Sequence, residues 1–180
     1  MEYLDIVDEN GEPTGDTVER SRAHREGIRH RTAHVWLVRI RDGRAQILLQ
    51  KRSRIKDSHP ECYDMSSGGH IPAGVDYLPS AVRELWEEIG VHAREQELIC
   101  CGVRRFFHRD IFHGNLFLDN QVSRVYVLWR DTDQFTLQEE EVEEVRWMDY
   151  ETCREMVKKN SLPHCIVLEE LDMIGTQLLV

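Results

Sequence analysis

The chain has 180 residues, 41% hydrophobic and 31% charged, which suits a folded core and excludes a disordered or collagen-like chain. Thirty-three acids against 23 Lys and Arg leave a formal charge of −10, a field that repels nucleic-acid polymers and anionic membranes. No apolar run reaches the ~18 residues of a membrane span, no secretory leader is visible, and five cysteines without a CxxC pair read as reduced thiols, so a cytoplasmic location is expected.

In chain order, Asn10-Gly11 signals a tight turn after the Leu4–Val7 stretch. Residues Asp16–Glu26 read as a short helix stopped by Gly27, with Arg20 and His24 one turn apart. Strands are expected over His34–Ile40, over Ala45–Gln50 beyond the Asp42-Gly43 turn, and over Tyr63–Ser66. A helix from Asp76 to Glu88 follows, with Asp76 as N-cap, Pro79 in the first turn and Gly90 as the stop. Three more strands, Leu98–Val103, Val122–Leu128 and Val142–Trp147, precede helices over Tyr150–Asn160 and Pro163–Gly175. Strands interleaved with helices predict an α/β or α+β sandwich: one domain over 1–180, with an N-terminal extension over 1–30 and C-terminal helices over about 150–175.

The chemistry concentrates in Gly69–Val91, GHIPAGVDYLPSAVRELWEEIGV. On the expected helix Glu84, Glu87 and Glu88 fall at i, i+3 and i+4, so three carboxylates share a face while Ala81, Leu85 and Ile89 share another. Like charges at these spacings, late in a helix, cost stability. A hard divalent cation relieves that cost by taking carboxylate oxygens, and Mg²⁺ completes its shell with water and substrate phosphate.

These residues resemble the Nudix signature, Gly-x5-Glu-x7-Arg-Glu-apolar-x-Glu-Glu-x-Gly-apolar. Gly69 opens it and Arg83-Glu84-Leu85-Trp86-Glu87-Glu88-Ile89-Gly90-Val91 closes it, while Val75 stands where the first glutamate belongs. The resemblance implies a Nudix-type α/β/α sandwich with a mixed sheet and a loop–helix–loop motif. It further implies that Glu84, Glu87 and Glu88 bind Mg²⁺ or Mn²⁺, that Arg83 braces a glutamate, and that Gly69 and Gly90 shape the loop and the helix end. Val75 cannot ligate metal. A glutamate restored there is expected to strengthen the site, and Asp76 is displaced by one residue from the required direction.

Leu4–Glu9, the Arg20…His24…His30 stretch, Leu48–Ser53 with Lys56, Ser66–His70 and Leu137–Trp147 are similar to the Nudix subgroup related to type-I isopentenyl-diphosphate isomerase, roughly over residues 3 to 150. That likeness implies that Arg20, Arg52 and Lys56 meet a diphosphate, and that His24, His30 and His70, with Asp119, form a possible second metal site. Gly68 occupies the position of the isomerase's catalytic cysteine and Gln121 that of its glutamate, so the proton-transfer pair is missing and isomerase activity is disfavoured.

The expected function is therefore Mg²⁺-dependent hydrolysis of a small-molecule diphosphate, of nucleoside-diphosphate type or another. Water would attack phosphorus, with Glu141, from the acidic run Glu139-Glu140-Glu141, as the base. A non-catalytic Nudix-fold binding module is the alternative that Val75 favours. Phe106, Phe107, His108, Phe112, His113 and Phe117 are candidates to surround the organic half. Oligomeric state is not readable, a homodimer being compatible.

Overall fold

A computed structural model describes residues 1–178. Strand β1 (Tyr3–Val7) pairs antiparallel with β2 (Pro13–Glu19), and α1 (Arg20–Glu26) follows directly. The first helix is thus shorter than Asp16–Glu26. Thr17 and Val18 pair with Asp5 and Leu4, and burying Val18 against Leu4 and Ala23 outweighs the helical pattern at residues 16–19. Gly27 ends α1 at φ 69°, the left-handed conformation its missing side chain permits.

The main sheet has seven strands: β3 (His30–Arg41), β4 (Arg44–Arg52), β5 (Tyr63–Asp64), β6 (Ser67–His70), β7 (Leu98–Phe112), β8 (Asn115–Trp129) and β9 (Val142–Asp149). Strand β3 runs parallel to β8 and antiparallel to β4 and β6, so the sheet is mixed as expected. Strands β7 and β8 form one long hairpin turning at His113-Gly114, both at positive φ. Its outer half escapes the pattern because Phe107, Ile111 and Leu116 are exposed, which blurs the alternation of buried and solvated positions.

Helix α2 (Tyr77–Ile89) covers one face, packing Tyr77, Ala81, Leu85 and Ile89 onto Ala33, Val35 and Leu37. Helices α3 (Tyr150–Lys159) and α4 (Leu168–Gly175) cover the other, setting Cys153, Met156, Leu171 and Ile174 against Trp36, Val38, Ile47 and Leu49. Alternation along β3 assigns odd residues to one layer and even residues to the other, which makes the α/β/α sandwich. The last helix starts at Leu168 rather than Pro163, because residues 163–165 bond to Tyr63: the Tyr63 N–H donates to Pro163 O and the Cys165 N–H to Tyr63 O.

The even-numbered face of β3 is apolar at Trp36 and Val38 and becomes polar at His30, Thr32 and His34, all of them buried. That change marks the floor of a cavity. The five cysteines are free thiols, and no helix among the described residues is long and apolar enough to cross a membrane.

Candidate active site

A cavity of about 750 Å³ opens between α2, the β6 loop, α1 and the C-terminal segment. Glu84, Glu87, Glu88, Arg83, Gly69, Arg20, Arg52, Lys56, His24, His70 and Glu141 all line it, so nearly every residue singled out from the sequence converges on one space. His30 lies directly beneath, its ring 5.1 Å from that of His70.

The carboxylates of α2 are held unequally. Glu88 is buried, and its Oε2 accepts from Ser67 Oγ at 2.7 Å and from the Gly68 N–H at 3.1 Å. Burial, followed by the nearby charge of Glu84, pushes the Glu88 carboxyl up to about 7. Burial also raises the Glu84 carboxyl, whose Oε1 accepts from Arg83 at 2.7 Å. Glu87 is 52% exposed and lies 3.5 Å from the same guanidinium. Arg83 therefore lies between two acids of the set.

Gly69 fits against Glu84. A Cβ built there would lie 2.6 Å from Glu84 Cδ and 2.8 Å from Oε2. Its backbone is not in the left-handed region, so Gly69→Ala isolates this contact from backbone strain. The variant is expected to remain folded while displacing the Glu84 carboxylate, with a turnover loss of about ten-fold or more, a displacement near 1 Å being worth up to two decades. Wild-type kinetics in Gly69→Ala would remove Glu84 from the reacting site.

Successive strand residues face opposite sides, so Gly69 turns to the acidic helix and His70 to the other face of β6. There His24 from α1, His30 from β3 and His70 from β6 bring ring nitrogens within 4.8 Å of one another. His24 Nε2 is 3.0 Å from His70 Nε2, and Asp119 Oδ1 lies 3.6 Å from both His24 Nδ1 and His30 Nε2. Burial holds all three imidazoles below their usual range, His24 at about 3, which leaves the neutral, ligating form at pH 7. His30 Nδ1 bonds to Ile28 O while its buried Nε2 has no hydrogen-bond partner among the described residues. An orphaned ring nitrogen beside two imidazoles and a carboxylate fits a metal of Mn²⁺ or Zn²⁺ character. The oxygen-only set on α2 fits a hard ion such as Mg²⁺.

The basic residues are already engaged. Arg20 is 3.2 Å from Glu2. Lys56 forms an ion pair with Glu141. Arg52, which the isomerase likeness placed on a diphosphate, donates to Ser58 O and to Asp64. Of the aromatic candidates, Phe106, His108 and Phe117 line the cavity, whereas Phe107 points to solvent and His113 bonds to Lys56 O from outside. The sequence reading missed Ser67, Glu2, and the buried pair of His34 with Glu170, 2.9 Å apart in the cavity lining. Only Ser67 carried a signal, its place beside Gly68-Gly69.

The NUDIX domain family matches residues 29–165. Nudix hydrolase 3 of Arabidopsis thaliana is 38% identical over 162 residues, covering 88% of this chain and 20% of that protein. An uncharacterized Nudix hydrolase of Clostridium acetobutylicum is 34% identical over 143 residues, covering 78% of this chain and 66% of its own length. The chain thus spans a fifth of the first relative and under two thirds of the second. A Deinococcus radiodurans crystal structure superposes with a TM-score of 0.71 at 19% identity, covering 94% of this chain and 96% of the other. The NUDIX domain of Shewanella oneidensis NrtR, complexed with ADP ribose, gives 0.62 at 15% identity, over 89% and 99% of the two chains. These two likenesses establish the fold. With the loop, the acidic helix and its arginine brace all inside the matched span, the chain belongs to the Nudix family.

Proposed function

We propose that the chain hydrolyses the phosphoanhydride bond of a small-molecule diphosphate with a divalent metal on Glu84, Glu87 and Glu88. The observation that carries this reading is the buried Glu88, a carboxyl held near 7 by burial and Glu84, in the same cavity as Arg20 and Lys56. Mg²⁺ or Mn²⁺ bound there supplies charge neutralisation and acidifies a water molecule. Arg20 and Lys56 hold phosphate oxygens, and Arg52 adds positive charge from behind its Ser58 and Asp64 contacts. Lys56 fixes the Glu141 carboxylate at the cavity wall. A phosphate arriving at Lys56 frees Glu141 to take the proton of the attacking water as the bridging P–O bond breaks and a phosphomonoester leaves.

The relatives' names, Nudix hydrolases, support hydrolysis over isomerisation. The likeness to the isomerase subgroup rests on the residues alone, and Gly68 and Gln121 leave it without its proton-transfer pair. Gln121 donates to both Asp119 oxygens, at 2.7 and 2.8 Å, so it steadies a carboxylate beside the histidines instead of moving protons. His24, His30, His70 and Asp119 form a second metal site in this reading. Nucleoside diphosphate compounds are the first class to test, ADP ribose being the ligand in the Shewanella structure.

The decisive assay incubates a panel of nucleoside and isoprenoid diphosphates with Mg²⁺ and follows monophosphate release and isomerised product. Hydrolysis is expected, with Glu87→Gln losing on the order of 100-fold, because this carboxylate would help hold the divalent ion whose charge is worth several kcal/mol to the transition state. Tight binding without turnover would instead support the ligand-binding module that Val75 favours. Metal analysis tests the histidines: His30→Ala should lose one equivalent of Mn²⁺ or Zn²⁺ while Mg²⁺ binding persists.

A further inference from the structure

The segment before the family match, residues 1–28, reaches into the cavity through Glu2, Arg20 and His24. The Arg20 guanidinium lies 3.2 Å from Glu2 Oε2, and the Arg20 backbone N–H donates to Glu2 O at 2.9 Å. The strand that follows Glu2, β1, is firmly seated. Leu4 is fully buried, the Ala73 N–H donates to Tyr3 O at 2.8 Å, and Asp5 accepts from Arg31 and from the Gly74 N–H at 2.9 Å. Glu2 therefore sits at a fixed place on the rim, near enough to Arg83 and Glu84 to act on their charges.

We propose that Glu2 is a specificity-determining residue: it is the resident counter-ion of Arg20, and a phosphate reaches Arg20 only by displacing it. The proposal rests on the phosphate-site reading above. A displaced Glu2 carboxylate is left facing Glu84 with its own cation taken. An anion that enters alone leaves that charge uncompensated, whereas an anion that enters with a divalent cation brings the charge that balances it. Glu2 thereby biases the cavity toward metal-laden phosphates over free ones, and it does so from outside the span of the family match. Glu141 on Lys56 repeats the arrangement elsewhere in the same cavity.

The pair is partly solvated, with side-chain exposures of 39% and 35%, so the competition it imposes is modest. Calorimetric titration with inorganic pyrophosphate at fixed ionic strength, with and without Mg²⁺, tests it on the wild type, Glu2→Gln and the exposed control Glu12→Gln. Metal-free pyrophosphate should bind Glu2→Gln two- to five-fold more tightly, about 0.4–1 kcal/mol at 1.4 kcal/mol per decade. The change should be smaller with Mg²⁺ present, and Glu12→Gln should match the wild type. Unaltered binding in Glu2→Gln, or an equal gain in the control, overturns the role of Glu2. Weaker Mg²⁺ binding in Glu2→Gln also overturns it, by making Glu2 a metal ligand. Pyrophosphate binding by neither protein under either condition would sink the phosphate-site reading itself, a result distinct from intact binding that is indifferent to Glu2.

Discussion

Glu88→Gln is expected to raise the melting temperature in metal-free buffer at pH 8 while abolishing most Mg²⁺-dependent turnover. The folded chain holds the Glu88 carboxyl at about 7 against an ordinary 4.5, first through burial and then through Glu84. A folded state that binds this proton more tightly than the unfolded chain gains stability below about pH 4.5 and loses it as pH rises through 7. At pH 8 the whole penalty of a buried carboxylate is present, on the order of 3 kcal/mol. The amide removes it and still accepts from Ser67 and the Gly68 N–H through its oxygen. For a chain of this length the gain is about 5–10 °C, shrinking to nothing near pH 4. Mg²⁺ should reverse the order, stabilising the wild type by mass action and leaving the variant unmoved. Melting curves that coincide at every pH, or equal stabilisation of both proteins by Mg²⁺, would show that Glu88 neither carries the strain nor binds the ion.

How far the site was readable follows from how local each part is. Helix α2 was legible because its carboxylate spacing, its Asp76 start and its Gly90 stop lie within 15 consecutive residues and depend on helical period alone. The α/β/α layering came from the family likeness, because β3 is buried on both faces and shows no alternation in the sequence. The histidine cluster was not local: His24, His30 and His70 come from three elements, and periodicity says nothing about rings meeting across them. Only the family likeness pointed there. The charge partners were silent, because Arg20 and Glu2 are 18 positions apart and Lys56 and Glu141 are 85 apart. The likeness that put Arg20, Arg52 and Lys56 on a diphosphate is silent on the carboxylate each of them carries in the fold. Arg52 shows the consequence most clearly, its guanidinium being taken up by Ser58 and Asp64.

Val75 is where sequence and structure part, and it carries the second large prediction. From sequence alone, a glutamate at this position restores a missing acid and strengthens the metal site. In the fold, Val75 is half-buried and packs against the cluster formed by α2 and the odd residues of β3. Both of its backbone groups are pinned, the N–H to Pro72 O at 3.0 Å and the carbonyl by Arg31 at 2.8 Å, so the direction of its side chain is set. Asp76 is no substitute: its side chain is 76% exposed and caps α2 through the Tyr77 N–H. Val75→Glu is accordingly expected to destabilise the chain by about 1–3 kcal/mol, the cost of pressing a carboxylate into an apolar contact, and to lower the melting temperature by roughly 2–10 °C. Mg²⁺ affinity and turnover should stay at wild-type levels at temperatures where the variant is folded. Val75→Ala separates the two contributions, since it removes packing without adding charge and should cost less than the glutamate. A Val75→Glu protein that melts like the wild type and binds Mg²⁺ several-fold more tightly would place this side chain at the carboxylate helix after all, and would make valine the reason for a weakened metal site rather than a part of the core beneath it.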